Sequence, residues 1–309
     1  MKLISFILPA YKARFLEQAI LSILAQTYTN FELIIVDDAS PEDIKSVVNT
    51  FQDNRIQYYR NTQNIGGKSL VLQWNHCIQY AKGDYLVLAA DDDIYHPNFA
   101  SSCLELANKY PEVDIVRTGA EQIDENNNLI GIDGILPEYC SKNQFVYYWL
   151  QATAFTCIGN YLFKTAAIKE KKFIDFPFAF GSDTASVINM AENGICNTAE
   201  MLFSFRISSI HLSSDQGKLK EKQEAITLLF LFLKNSNNRQ SNDRYDKFCF
   251  DRIQWKALYN KCKYDYYNLV IKHLPIYKLC YIKKCELITT KDKATMVIRY
   301  FIDKLFKRN

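Results

Sequence analysis

The sequence predicts an α/β fold: a Rossmann-like, mostly parallel sheet flanked by helices, with a C-terminal helical extension. Three observations predict it. Short apolar runs of strand length alternate with stretches of helical periodicity over the first 88 residues. The links between them are brief, as in βαβ units whose helices cover both faces of a parallel sheet. The strand ends carry the polar constellations Pro9-Ala10-Tyr11, Asp37-Asp38 and Asp91-Asp92-Asp93, which such a sheet gathers along one edge, where ligands bind.

Residues 3–8 read as a buried strand, and residues 13–25 set Phe15, Ala19, Ile20, Ile23 and Leu24 on one helical face. Residues 31–36 form the second strand. Asp37-Asp38-Ala39-Ser40 ends it, and Pro41 opens a helix that runs to Phe51. Residues 55–59 give a third strand, residues 61–67 a polar loop, and residues 68–81 a helix that Gly83 stops. The fourth strand covers residues 85–88. A helix then starts near Pro97, a strand covers 113–118, a turn 125–128, a helix 141–150 and a strand 158–163. Gly181-Ser182-Asp183 opens a helix that reaches Glu192 and ends at Asn193-Gly194. A polar, low-complexity joint at 235–243 divides residues 1–234 from a helical extension, 244–309. Within the first part, the alternating half 1–115 is set apart from a less regular half, 116–234.

A chain of 309 residues with 48% hydrophobic and 23% charged residues can bury a sizeable core. Its nine cysteines show no C-x-x-C pair and no His/Cys metal spacing, so reduced thiols are expected. Pro9 interrupts the first apolar run before a signal peptide could form, and no run reaches the length of a spanning helix. A cytoplasmic protein, peripheral on the inner face of the membrane, is the expectation. The net charge of +3 hides an asymmetry: residues 244–309 hold 16 Lys/Arg against 6 Asp/Glu, a local +10, leaving −7 on residues 1–243. Arg299-Tyr-Phe-Ile-Asp-Lys-Leu-Phe-Lys-Arg308 mixes aromatic and cationic residues as interfacial helices do. An anionic membrane surface is therefore the expected partner of the extension, and no nucleic-acid module is present.

Three adjacent carboxylates at a strand end repel one another and call for a counter-charge. A hard divalent cation suits them, because such ions take a few carboxylates and complete their shell with phosphate oxygens. No G-x-G-x-x-G and no G-x-x-x-x-G-K-[ST] follows any strand, and Asn64-Ile-Gly-Gly-Lys-Ser69 lacks the first glycine of a P-loop.

Ser5-Phe-Ile-Leu-Pro-Ala-Tyr11, Ser22-Ile-Leu-Ala-Gln-Thr-Tyr28, Phe31-Glu-Leu-Ile-Ile-Val-Asp-Asp-Ala-Ser40, Asn64-Ile-Gly66 and the Ala81-Lys-Gly-Asp-Tyr85 segment, with the acidic cluster, resemble family-2 glycosyltransferases. The resemblance covers about the first 115 residues well and extends more loosely to about residue 215. It implies the GT-A (nucleotide-diphosphosugar transferase) fold and inverting transfer from a nucleotide sugar, a UDP-sugar foremost. The acceptor implied is a saccharide or lipid-linked saccharide, in building a cell-surface polysaccharide such as capsule, O-antigen or exopolysaccharide. By this resemblance Pro9, Ala10 and Tyr11 cradle the nucleotide, with Tyr11 along the base. Asp38, beside Asp37, accepts from the base or ribose, Asn64 and Gly67 close over the base, and Lys68 offsets phosphate charge. Ala90 takes the place of the first acid of the common D-x-D-D spelling. Asp92 then becomes the ligand of Mn²⁺ or Mg²⁺, Asp91 faces the ribose or a metal-bound water, and Asp93 is a further ligand or a helix cap. Ser182 stands where relatives carry Glu, and Asp183 is the expected base for the acceptor hydroxyl. Arg206 and His211 match an element near the diphosphate, with His211 an extra metal ligand. Two rival readings are a nucleotidyltransferase, which would need a Gly-rich loop after the first strand, and a non-catalytic module that keeps the fold, which Ala90 and Ser182 leave open.

Overall fold

The computed structural model describes residues 1–208, 218–236 and 240–306. Its first half follows the predicted alternation: β1 (Ile4–Ala10), α1 (Leu16–Leu24), β2 (Phe31–Asp37), α2 (Ile44–Val48), β3 (Ile56–Arg60), α3 (Leu70–Cys77) and β4 (Tyr85–Leu88). The chain continues through β5 (Ile94–Tyr95), α4 (Phe99–Lys109), β6 (Ile115–Ile123), β7 (Leu129–Ile132), β8 (Tyr139–Cys140), α5 (Lys142–Leu150), β9 (Tyr161–Lys164), α6 (Thr165–Lys171), α7 (Ser182–Met190) and β10 (Ile195–Arg206). Helices α8 (Leu219–Asn235), α9 (Arg244–Arg252), α10 (Trp255–Asp265) and α11 (Thr290–Phe306) complete it.

One sheet runs in the order β3-β2-β1-β4-β9-β6-β10-β5, with β7 on β6 and β8 on β10. The β3-β2-β1-β4 block is wholly parallel, so β1 and β2 finish together at Ala10 and Asp37 and β4 stops beside Ile7. Strand β9 is antiparallel to both β4 and β6 and joins this block to the parallel β6–β10 pair. Successive residues of β1 feed two cores. Ile4, Phe6 and Leu8 face α1, α2 and α4, whereas Ile7 faces a second cluster that gathers α3, α5–α8, α10 and α11. Phe6 is wholly buried between Phe31 and Tyr95, each 5.6 Å away between ring centroids.

Four sequence expectations change. The helix expected over 41–51 is only α2, capped by Asp43 through the Ser46 N–H, and Pro41 lies three residues before its start. Residues 158–160 form a 3-10 turn, and the strand there is β9. The cap of α4 is Asn98, so Asp93 is no helix cap. The long strand β10 was not foreseen; its polar Asn197, Thr198 and Glu200 interrupt the apolar pattern, and its pairing to β6 carries register shifts at Met201. The basic extension packs inward, with α9 on α5 and α10 on α8. All nine cysteines are free thiols, and among the described residues no helix is long and apolar enough to cross a membrane.

Candidate active site

Because β1, β2 and β4 run parallel, the chain leaves all three at the same edge. There, the acidic turn doubles back over the end of β1. Asp91 Oδ2 accepts the backbone N–H groups of Tyr11 and Lys12, both at 2.8 Å. Burial, then the neighbouring Asp92 charge, push the Asp91 pKa up to about 6. Asp93 points the other way, its Oδ1 accepting the Arg206 N–H at 3.0 Å. Burial and then Asp92 hold its carboxyl well above the ordinary range.

Asp92 differs from both neighbours. No other described residue donates a hydrogen bond to its carboxylate, while burial raises its pKa against the opposing fields of Lys12 and Arg206. This largely desolvated carboxylate, which takes no hydrogen bond from another described residue and lies between two acids already pushed toward neutrality, fits a divalent cation. Such an ion would rest on Asp92 and fill its shell with water and phosphate oxygens. Among the described residues no three His, Cys, Asp or Glu side chains gather as a closed metal shell. Asp93, the second expected ligand, faces the Arg206 amide, and His211 lies outside the described residues.

The buried Arg206 braces this turn. Its Nε donates to the Asp92 carbonyl at 2.7 Å, Nη1 to the Asp124 carbonyl at 3.0 Å and Nη2 to Gln18 Oε1 at 3.0 Å, and the guanidinium sits 4.3 Å over the Phe15 ring. Expected near the diphosphate, it instead directs these donors to the protein. It ties α1, the acidic turn and the β6–β7 hairpin together, and Arg14 adds an ion pair to Glu125 of that hairpin at 2.8 Å.

Asp37 and Asp38 shape backbone. Asp37 is fully buried; it accepts from the Ser40 N–H at 2.8 Å and the Tyr58 hydroxyl at 2.6 Å, and pairs with Arg60. Asp38 holds the 61–67 loop, accepting the N–H groups of Ile65 and Gly66 at 2.9 and 2.7 Å and the Asn61 amide at 2.7 Å. A Cβ on Gly66 would stand 2.9 Å from Asp38 Oδ2, so the close approach needs glycine. Asn64 closes the loop onto the Gly67 N–H at 2.5 Å, and Gly67 and Lys68 are exposed. Pro9 and Ala10 are the last residues of β1, and Tyr11 is 40% exposed just beyond it. The Tyr11 carbonyl is fixed by the Ser40 hydroxyl at 2.6 Å.

Asp183 stands in the first turn of α7, whose cap is Gly181 in the left-handed region at φ 75°. Phe178 and Ala179 also have φ near +55°, a strained approach of the kind that clusters at functional sites. Among the other described residues, Thr184 alone donates to Asp183: its N–H reaches Oδ1 at 2.7 Å, and its hydroxyl makes a long contact at 3.4 Å. Burial lifts its pKa to about 6, close to the value that suits a general base. Ser182 is buried and accepts the Phe176 N–H at 3.0 Å, a structural use of the position. Burial, and then the charges of Asp93 and Asp183, hold the Cys157 thiol well above its ordinary range.

Sequence reasoning missed the support beneath Asp183. Arg117 and Asp133, each 1% exposed, form a buried ion pair, and Asp133 Oδ1 accepts the Phe155 N–H at 2.9 Å. The next residue, Thr156, shares a 2.7 Å hydrogen bond with the Thr184 hydroxyl. The signal was an arginine inside an apolar strand run, a residue seldom fully buried unless paired. Lys12 was also missed, though it directly follows Tyr11 at the strand end.

The model of Glycosyl transferase family 2 matches residues 5–170. An uncharacterized glycosyltransferase of Rickettsia typhi is 34% identical over 128 residues, 41% of this chain and 39% of that protein. The chain spans less than half the length of the Rickettsia typhi relative. The Escherichia coli UDP-Glc:alpha-D-GlcNAc-diphosphoundecaprenol beta-1,3-glucosyltransferase WfgD is 26% identical over 225 residues, 72% of this chain and 83% of that protein. Among solved structures, Staphylococcus aureus TarS 1-349 in complex with UDP superposes with a TM-score of 0.66 at 16% identity, covering 91% of this chain and 78% of that one. The Pyrobaculum calidifontis mannosyltransferase PcManGT, in complex with GDP-Man and Mn2+, gives 0.56 at 14% identity, covering 99% and 88%. These structures share the GT-A architecture of a curled, mostly parallel sheet between helices. With more than half of its length inside the family model, this chain belongs to glycosyl transferase family 2.

Proposed function

We propose that the chain transfers a sugar from a nucleotide-diphosphate sugar to a hydroxyl of a saccharide or lipid-linked saccharide, in a single displacement that inverts the anomeric carbon. One observation carries this reading: the turn after β4 and the first turn of α7 each carry a desolvated carboxylate, Asp92, to which no other described residue donates a hydrogen bond, and Asp183, lifted by burial to about 6. Tyr11 offers an exposed ring for the base, and the loop pinned by Asp38 closes the donor side. Asp183 removes the acceptor proton as the new glycosidic bond forms, and an alcohol needs such help to act as a nucleophile. Its burial keeps the base strong enough to accept that proton, and the α7 N-terminus favours its ionised form beforehand. A divalent cation held by Asp92 supplies Lewis-acid neutralisation of the departing nucleoside diphosphate.

WfgD, named for UDP-glucose and a diphosphoundecaprenol-linked acceptor, supports a UDP-sugar and a lipid-linked acceptor here, and thus a cell-surface polysaccharide built at the inner face of the cytoplasmic membrane. The GDP-Man and Mn2+ of PcManGT support the metal. The test is a thermal-shift panel of UDP-, GDP- and dTDP-sugars with Mn²⁺, followed by turnover on each hit. Stabilisation by one nucleotide sugar with transfer to a saccharide acceptor is expected; a chain that binds none of them, or binds without turnover, would end the reading.

A further inference from the structure

Helix α11 is amphipathic the wrong way round for a helix that lies over a core in water. Met296 and Tyr300, one turn apart, are buried, and the Tyr300 hydroxyl donates to the Leu274 carbonyl at 2.8 Å. The opposite face carries Ile298, Phe301, Ile302 and Leu305, at i, i+3, i+4 and i+7, which are 62%, 43%, 46% and 70% exposed. These four side chains form one continuous outward stripe over two turns. Phe306, next in the chain, is 81% exposed. The 3-10 segment Ile276–Lys284 packs beside α11. A contiguous exposed apolar surface of this kind marks an interaction site.

Charge chooses the occupant. Lys291, Arg299 and Lys304 are exposed along α11, and Lys278, Lys283 and Lys284 along the neighbouring segment, within an extension of net +10. A second copy docking through the same face would oppose two such fields, whereas an anionic bilayer complements them. Nucleic acid would neutralise the lysines but leave the aliphatic stripe in water. We propose that the outward face of α11 lies in the headgroup region of an anionic membrane, its apolar stripe buried and its cations at the phosphates. This names the contact face behind the membrane-bound acceptor of the proposed function, and it stands on α11 rather than on the chemistry at Asp92 and Asp183.

The test is flotation of the full chain with vesicles of phosphatidylcholine alone and of phosphatidylcholine with 30% phosphatidylglycerol. Binding to the anionic vesicles, weakened severalfold or more by added salt, is expected. The double variant Ile302→Asp/Leu305→Asp should cut that binding at least tenfold with an unchanged melting temperature, since both side chains point away from the core. Lys283→Glu/Lys284→Glu, which leaves the stripe intact, should weaken it severalfold. Three outcomes overturn the proposal: no binding to anionic vesicles, undiminished binding of the aspartate variant, or a self-association of the chain that this variant abolishes while vesicle binding persists. Nucleotide-sugar turnover on a soluble saccharide, read alongside, separates failure of this proposal from failure of the catalytic one.

Discussion

The proposed donor side of the site and its proposed acceptor side use the same residue, aspartate, in opposite ways. On the donor side Asp37, Asp38 and Asp91 each accept two or more hydrogen bonds from nearby donors, and with them fix the loops after β1, β2 and β3. Their charge is answered by the protein, whereas the Asp92 carboxylate takes no hydrogen bond from another described residue. On the acceptor side the one other described residue that donates to Asp183 is its neighbour Thr184, and a chain of contacts runs from Arg117 through Asp133 and Phe155 to Thr156 and Thr184. Carboxylates saturated by backbone amides build shape; a carboxylate left under-bonded in a dry place is available for chemistry.

Substitutions sharpen that contrast. The largest effect is expected for Asp183→Asn, which keeps shape and removes the base: kcat should fall by about 10²–10⁴, with donor binding retained. The rate of the unmodified chain should rise with pH through about 6 as Asp183 ionises. The sign for stability is the reverse. A carboxyl raised by burial favours the fold below its unfolded pKa, near 4, and that contribution is lost as pH climbs through about 6. Asp183→Asn should therefore melt higher than the unmodified chain at neutral pH, by about 1–2 kcal/mol, and the gap should close toward pH 4. Asp92→Asn should lower kcat by about 10²–10³ and raise the Mn²⁺ concentration needed for half-maximal rate.

Arg117→Met strips one partner from a buried pair and should cost about 3–5 kcal/mol in urea denaturation, because Asp133 is left charged and unpaired. The double variant Arg117→Met/Asp133→Leu should recover much of that loss. Its residual deficit should lie in kcat rather than donor binding if the pair positions Asp183. The smallest effect belongs to Asp38→Asn, which turns one acceptor of the 61–67 loop into a donor and should cost about 1–3 kcal/mol and weaken donor binding. Equal damage to donor binding from Asp183→Asn would break the division between the two sides.

The parallel half of the sheet was legible because β1, β2 and β4 are buried on both faces, so apolar runs and short polar links mark them directly. The strand ends at Ala10, Asp37 and Leu88 fall within two residues of expectation. The mixed half was less so. Strand β10 alternates burial and exposure irregularly around Thr198 to Met201, and the antiparallel β9 starts after a 3-10 turn that sequence cannot distinguish from strand. At the site, residue type marked the acids but not which way each would point. Asp91, Asp92 and Asp93 are chemically identical and adjacent, and only the amides of Tyr11, Lys12 and Arg206 make them different. The Arg206 brace was out of reach because its partners Gln18, Asp92 and Asp124 are scattered over more than a hundred residues.

The most direct test is calorimetric titration of the nucleoside diphosphate returned by the panel, with Mn²⁺, into the unmodified chain, Asp92→Asn and Asp183→Asn. A donor side that ends at Asp92 and an acceptor side that begins at Asp183 predict at least a tenfold weaker Kd for Asp92→Asn and an unchanged Kd for Asp183→Asn. Full binding by Asp92→Asn, or a comparable loss in Asp183→Asn, would contradict that account.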